Sequence, residues 1–132
     1  MKYELNFICG IFGAIISYAF GAFSLALQIL LYLMLLDYIT GVIAAACNSQ
    51  LSSKAGYKGI FKKILMLIVC SVAYKIDVLM NAHNLLASGA IIFYCNNEAI
   101  SIIENAIEIG LPVPDKLKDA INIILHDEED EI

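Results

Sequence analysis

Apolar residues run along this chain in long blocks separated by short polar breaks. From Leu5 to Leu36 the clearly polar residues are only Asn6, Ser17, Ser24 and Gln28. A helix crosses a hydrocarbon layer about 30 Å thick with about 20 apolar residues, so this run holds more than one crossing. The pattern predicts spans at about residues 6–23, 25–47, 60–80 and 85–109. The first could instead lie in the interface or re-enter, because its glycines weaken a helix and its length is near the minimum. The predicted fold class is therefore an all-α integral membrane protein with three or four transmembrane helices.

Each span carries a different polar signature. In the first, Gly13, Ser17 and Gly21 recur every fourth residue, a small-residue stripe that permits close helix approach in lipid. In the second, Asp37 stands near the middle, where a carboxylate costs about 2.5–3.5 kcal/mol on insertion scales. Gly41, Ala44, Ala45 and Asn48 share its face, so that face should meet protein. The acid could line a water path, or pair with a base such as Lys75 on the next helix. Residues 48–63 form a basic loop, with Lys54, Lys58, Lys62 and Lys63 and no acid; the positive-inside rule places it in the cytoplasm.

The last span is helical by period but not uniformly apolar. On a wheel, Asn97, Glu98, Ser101, Glu104, Asn105 and Glu108 fill one arc, and the apolar residues fill the rest except for Asn96. This polar arc either lines a pore or rests in water on a helix lying flat at the interface. Gly110, Pro112 and Pro114 stop the helix, and Asp115 suits the first turn of another. Residues 111–126 then form a short amphipathic helix with Leu117, Ala120, Ile121, Ile124 and Leu125 on one face. An acidic tail, 127–132, follows and should stay solvated. Counting from the basic loop puts the C-terminus in the cytoplasm, and the N-terminus on the same side with four spans or outside with three.

Composition supports lipid as the solvent: 61% of the 132 residues are hydrophobic, against roughly 45–50% in a soluble domain. A cleaved signal peptide would need a basic flank and a short core; here Glu4 balances Lys2 and the apolar run continues. The net charge of −5 is uneven, with six Lys and three acids in residues 1–80 and two Lys and ten acids afterwards. An acidic chain without Arg has no footprint for a phosphate backbone, so nucleic acid is not an expected partner.

Chemistry for catalysis is sparse. Cys9, Cys47, Cys70 and Cys95 lie far apart beside apolar residues, without CxxC spacing, and read as small buried hydrophobes. His83 and His126 belong to no Cys/His, Ser/His/Asp or HExxH arrangement. Gly10 and Gly13 sit in an apolar helix, where packing explains them better than phosphate binding. No enzyme, metal or cofactor is expected. What remains is a set of ionisable residues at membrane depth, and three or four helices cannot enclose a wide aqueous path alone. Self-association into a homo-oligomer is the expected remedy, with the polar arc of the last helix toward water and the small-residue face of the second toward neighbours.

Four ordered blocks carry a family resemblance: Leu36-Asp37-Tyr38-Ile39-Thr40-Gly41; Leu51-Ser52-Ser53-Lys54 with Gly59 and Lys62-Lys63; Asn97 through Asn105; and Gly110-Leu111-Pro112-Val113-Pro114 before Lys116-Leu117-Lys118. Over most of its length the chain resembles the toxin-secretion and phage-lysis holins. The resemblance implies a protein that accumulates in the bacterial cytoplasmic membrane, oligomerises, and opens lesions that let an endolysin or a toxin cross. Two features depart from that pattern: four countable spans, and an acidic rather than basic end. A small ion or proton transporter using the intramembrane carboxylates, and a non-conducting adaptor acting through residues 115–132, are the competing readings.

Overall fold

The computed structural model describes the backbone of residues 1–130 and side chains as far as residue 123; residues 131 and 132 of the expected acidic tail lie outside the described residues. Within them the chain forms five helices and no strand: α1 (Lys2–Phe20), α2 (Leu25–Cys47), α3 (Ser53–Met80), α4 (Leu85–Ile109) and α5 (Asp115–Asp130). Three of these, α1, α2 and α4, are long and apolar enough to cross a membrane. The longest, α3, is interrupted by Lys62, Lys63, Lys75 and Asp77.

The helix limits follow from local chemistry. Gly21 ends α1 at φ 79°, a conformation that favours glycine, and the Tyr74 ring would lie 2.6 Å from any Cβ there. Ser24 caps α2 by accepting the Leu27 N–H at 3.2 Å, and Ser52 caps α3 by accepting that of Ala55. This second cap starts α3 seven residues before the expected limit. Lys54, Lys58, Lys62 and Lys63 are thus helical, not members of a loop. The α3–α4 turn is tight, with Asn81, His83 and Asn84 all at positive φ. At the other end, α5 begins at Asp115, the residue expected in its first turn, and continues through Asp130, so the first part of the acidic run is helical.

α2 and α4 pack most extensively, and they run parallel. Ser24 and Ala26 share a cavity with Ala87, Ser88 and Ile91 at their starts, while Gly41 meets Asn105 near their ends. α3 runs antiparallel against both, since Gly56 approaches Tyr38 whereas Asp77 reaches the first turn of α4. Leu30, Met34, Met66, Cys70 and Ile91 form the buried cluster between the three. Lipid is as apolar as these side chains, so their burial adds contact energy without the hydrophobic gain it would bring in water. Polar contacts between the helices therefore weigh more in holding the arrangement.

α1 stands apart, with no buried residue. It meets α3 near its end, where Ser71 Oγ donates to the Ala19 carbonyl at 2.9 Å and Lys75 Nζ lies 3.4 Å from the Tyr18 ring centre. Gly10 and Gly13 have nothing within 4 Å of a built Cβ, so the packing expected of them is not found within one chain. Exposed Phe7, Phe12 and Ile15 suit a helix surrounded by lipid.

Candidate functional site

The polar residues converge where α2, α3 and α4 lie side by side. Lys63 Nζ is 2.7 Å from Asp37 Oδ2 and 2.5 Å from Glu98 Oε2, one ammonium joining carboxylates from two other helices. Asn105 extends the network: its Nδ2 donates to Asp37 Oδ1 at 3.0 Å, to the Asp37 carbonyl at 3.3 Å and to Thr40 Oγ1 at 2.9 Å. Thr40 in turn donates to the Leu36 carbonyl at 2.8 Å. No buried side-chain oxygen or nitrogen lacks a partner among the described residues. Such satisfaction is what a buried charge requires in a medium without water.

This pairing corrects two sequence expectations. Asp37 is matched by Lys63, not Lys75, because Lys75 lies far down α3 and is engaged with Tyr18. Lys63 itself departs from the other lysines. On α3 it shares a face with Met66, Cys70 and Asp77, all turned into the bundle, whereas Lys54, Lys58 and Lys62 are exposed.

Above the network opens a vestibule of about 920 Å³, walled by the C-terminal half of α2, the N-terminal half of α3 and the C-terminal half of α4. Asp37, Lys63 and Glu98 form its floor, and beneath them Leu30, Met34, Cys70 and Ile91 belong to the buried apolar cluster. A second cavity of about 520 Å³ lies beyond that apolar layer, beside Asp77 and Tyr74. Each floor residue stands ten or eleven positions from the nearer helix end, about 15 Å at 1.5 Å per residue.

The predicted polar arc of α4 divides. Glu98 is 3% exposed and Asn97, Ser101 and Asn105 are half-buried toward the vestibule, while Glu104 and Glu108 are exposed. On α2, Gly41 lies close to Asn105 and Ala44 is buried, so the small-residue face meets α4 of the same chain. The cysteines also divide: Cys70 is buried and Cys95 half-buried, but Cys9 and Cys47 are exposed, contrary to the expectation that all four are interior. Among the described residues no His, Cys, Asp or Glu group has the grouping of a metal site.

Sequence reasoning missed two contributors. Thr40 donates within α2 and accepts from Asn105. Asp77, only 2% exposed, accepts the Leu86 N–H at 3.0 Å and the Ala87 N–H at 2.8 Å, so α4 is capped from another helix, with Asn84 making no side-chain cap. A wheel drawn over all of α3 would have separated both Lys63 and Asp77 from its other charged residues.

The three helices and their inward charges fall within the region, residues 14–126, that matches the model of the Bacteriophage holin family. The chain belongs to that family. It is 35% identical over 103 residues to a probable holin of Bacillus phage phi105, covering 78% of this chain and 76% of the relative. An uncharacterized Listeria monocytogenes protein is 44% identical over 112 residues, 85% of this chain and 80% of its own. An uncharacterized Halalkalibacterium halodurans protein is 36% identical over 97% of this chain and 98% of its own. No solved structure matches. The matched holin region takes in α2, α3 and α4 whole, together with most of α5, so the charge network lies in the part shared with the family.

Proposed function

We propose that this chain acts as a holin. It accumulates in the bacterial cytoplasmic membrane, with its C-terminus in the cytoplasm, and assembles into homo-oligomers. These permeabilise the bilayer so that an endolysin or a toxin crosses, ending in cell lysis or secretion without any enzymatic step. The observation that carries this reading is family membership over nearly the whole chain, joined by likeness to a probable phage holin. The structure adds physical support. The parallel course of α2 and α4 requires a return through α3, so four crossings fit the fold, with Lys63 neutralised, Lys54, Lys58 and Lys62 set toward one end and Lys75 near the other, over the Tyr18 ring.

In the single chain the inner part of the polar arc is occupied by Lys63 and Asp37. Lining a pore with Asn97, Glu98, Ser101 and Asn105 then requires α4 to part from α2 and α3 as copies associate. Glu104 and Glu108 are already exposed.

A second reading, a small ion or proton channel or transporter, is favoured by one observation: the vestibule reaches ionisable groups at mid-helix and stops at an apolar layer. Inducing the gene alone in a bacterium without endolysin separates the two. Loss of membrane potential together with release of a cytoplasmic reporter enzyme supports the holin reading. Loss of potential with the enzyme retained favours the small channel, and no change in either would leave the adaptor reading.

A further inference from the structure

We infer that the N-terminal half of α3 carries a binding surface for anionic phospholipid headgroups. Lys54, Lys58 and Lys62 recur at every fourth position, which places them on one side of the helix. Tyr57 and Phe61 alternate with them on that side and are each 63% exposed. Lys63 projects to the opposite side, into the bundle, and is the lysine that forms ion pairs among the described residues. The three outer lysines are exposed, and no Asp or Glu occurs between Asp37 and Asp77; Tyr57 and Lys62 also border the vestibule, whose α4 wall carries Glu104, while no ion pair to Lys54, Lys58 or Lys62 occurs among the described residues.

Position along the helix fits the same ligand. α3 has 28 residues, about 42 Å at 1.5 Å per residue, and so exceeds a hydrocarbon layer of about 30 Å. Its stretch without a charged residue is Ile64 to Tyr74, with the Ser71 hydroxyl bonded to α1, which leaves the lysine-bearing turns toward the membrane boundary. There a lysine extends its ammonium to the phosphate layer while its stem stays in lipid, and aromatic rings settle at the same depth. Charge selects the headgroup: clustered lysines favour anionic over zwitterionic lipid, and added salt weakens the preference.

The chain has no tryptophan, so Tyr57→Trp supplies a single fluorophore within the patch. Leu79→Trp supplies one at the far end of α3, where the residue is 86% exposed. Each full-length variant is reconstituted in phosphatidylcholine vesicles with an equal mole fraction of brominated phosphatidylglycerol or brominated phosphatidylcholine. The expected result is about threefold stronger quenching at position 57 by the anionic lipid, reduced by salt and abolished by Lys54→Gln, Lys58→Gln and Lys62→Gln together. Position 79 should show no preference, and its quenching in the lysine-substituted background verifies insertion. Equal quenching by the two lipids at position 57 would overturn the inference, as would a preference that survives the three substitutions. A preference that emerges only after removal of residues 127–132 would assign the lysines to the acidic end of the chain, and would overturn it as well.

Discussion

Glu98 and Lys63 form an ion pair across α4 and α3, although the wheel of α4 puts Glu98 in the arc that would face water. Because Lys63 also holds Asp37, its removal strands two carboxylates at once. Breaking a buried pair by deleting one partner typically costs about 3–5 kcal/mol. Lys63→Met should therefore lower the unfolding free energy in detergent by about that amount, and adding Asp37→Asn and Glu98→Gln should restore most of it. Equal stability of Lys63→Met and the parent chain would show that water already solvates these groups.

Asn105 is the polar link between α4 and α2, and it donates to both the side chain and the backbone of Asp37. Interhelical polar contacts in membranes average about 0.6 kcal/mol and reach about 1.7. Asn105→Ala should fall in the upper part of that range. Combined with Asp37→Ala it should cost less than the two separate losses added together, since they share one contact. Strict additivity in a double-mutant cycle would contradict the observed bond.

Asp77 ties the end of α3 to the start of α4 by accepting two amide hydrogens. Loss of a capping acceptor costs about 0.5–2 kcal/mol. Asp77→Ala should accelerate hydrogen exchange at the Leu86 and Ala87 amides by about tenfold, following 1.4 kcal/mol per decade, with little change at the far end of α4. Uniform acceleration along α4 would indicate global loosening instead.

Hydropathy and period located α2 and α4 with their limits, because a long apolar run bounded by Ser24, Gly110 and Pro112 leaves few alternatives. The start of α3 was harder to read. Its first turns are basic and resemble a loop, and only the Ser52 cap distinguishes them. Asp37 was legible as a residue that needs a partner, since a charge at that depth cannot go unsatisfied, whereas Glu98 and Asn105 were legible only as members of an arc expected to face water. The identity of the partner was not. Lys63 and Lys75 are both on α3, and choosing between them requires the relative height of the helices, which tertiary packing sets. The inward turn of Glu98 is equally a packing result, for a helical wheel gives a face without saying what covers it.

Opening of α4 away from α3 should be preventable if this chain permeabilises membranes by exposing its polar arc. The native Cys70 on α3 and Cys95 on α4 both lie at the buried cluster between these helices, so a chain with Cys9 and Cys47 replaced by Ala keeps one cysteine on each side of that seam. Where oxidation joins them, dye release from vesicles should fall at least tenfold, and reduction should restore it. Unchanged release with the crosslink intact would place the conducting path elsewhere.

Whether this chain alone makes holes large enough for a protein is decided with purified full-length protein in vesicles loaded with a small dye and a folded enzyme of endolysin size. Both should leave the vesicles together, once the protein passes a threshold density. Escape of the dye with complete retention of the enzyme at every density would contradict the holin reading.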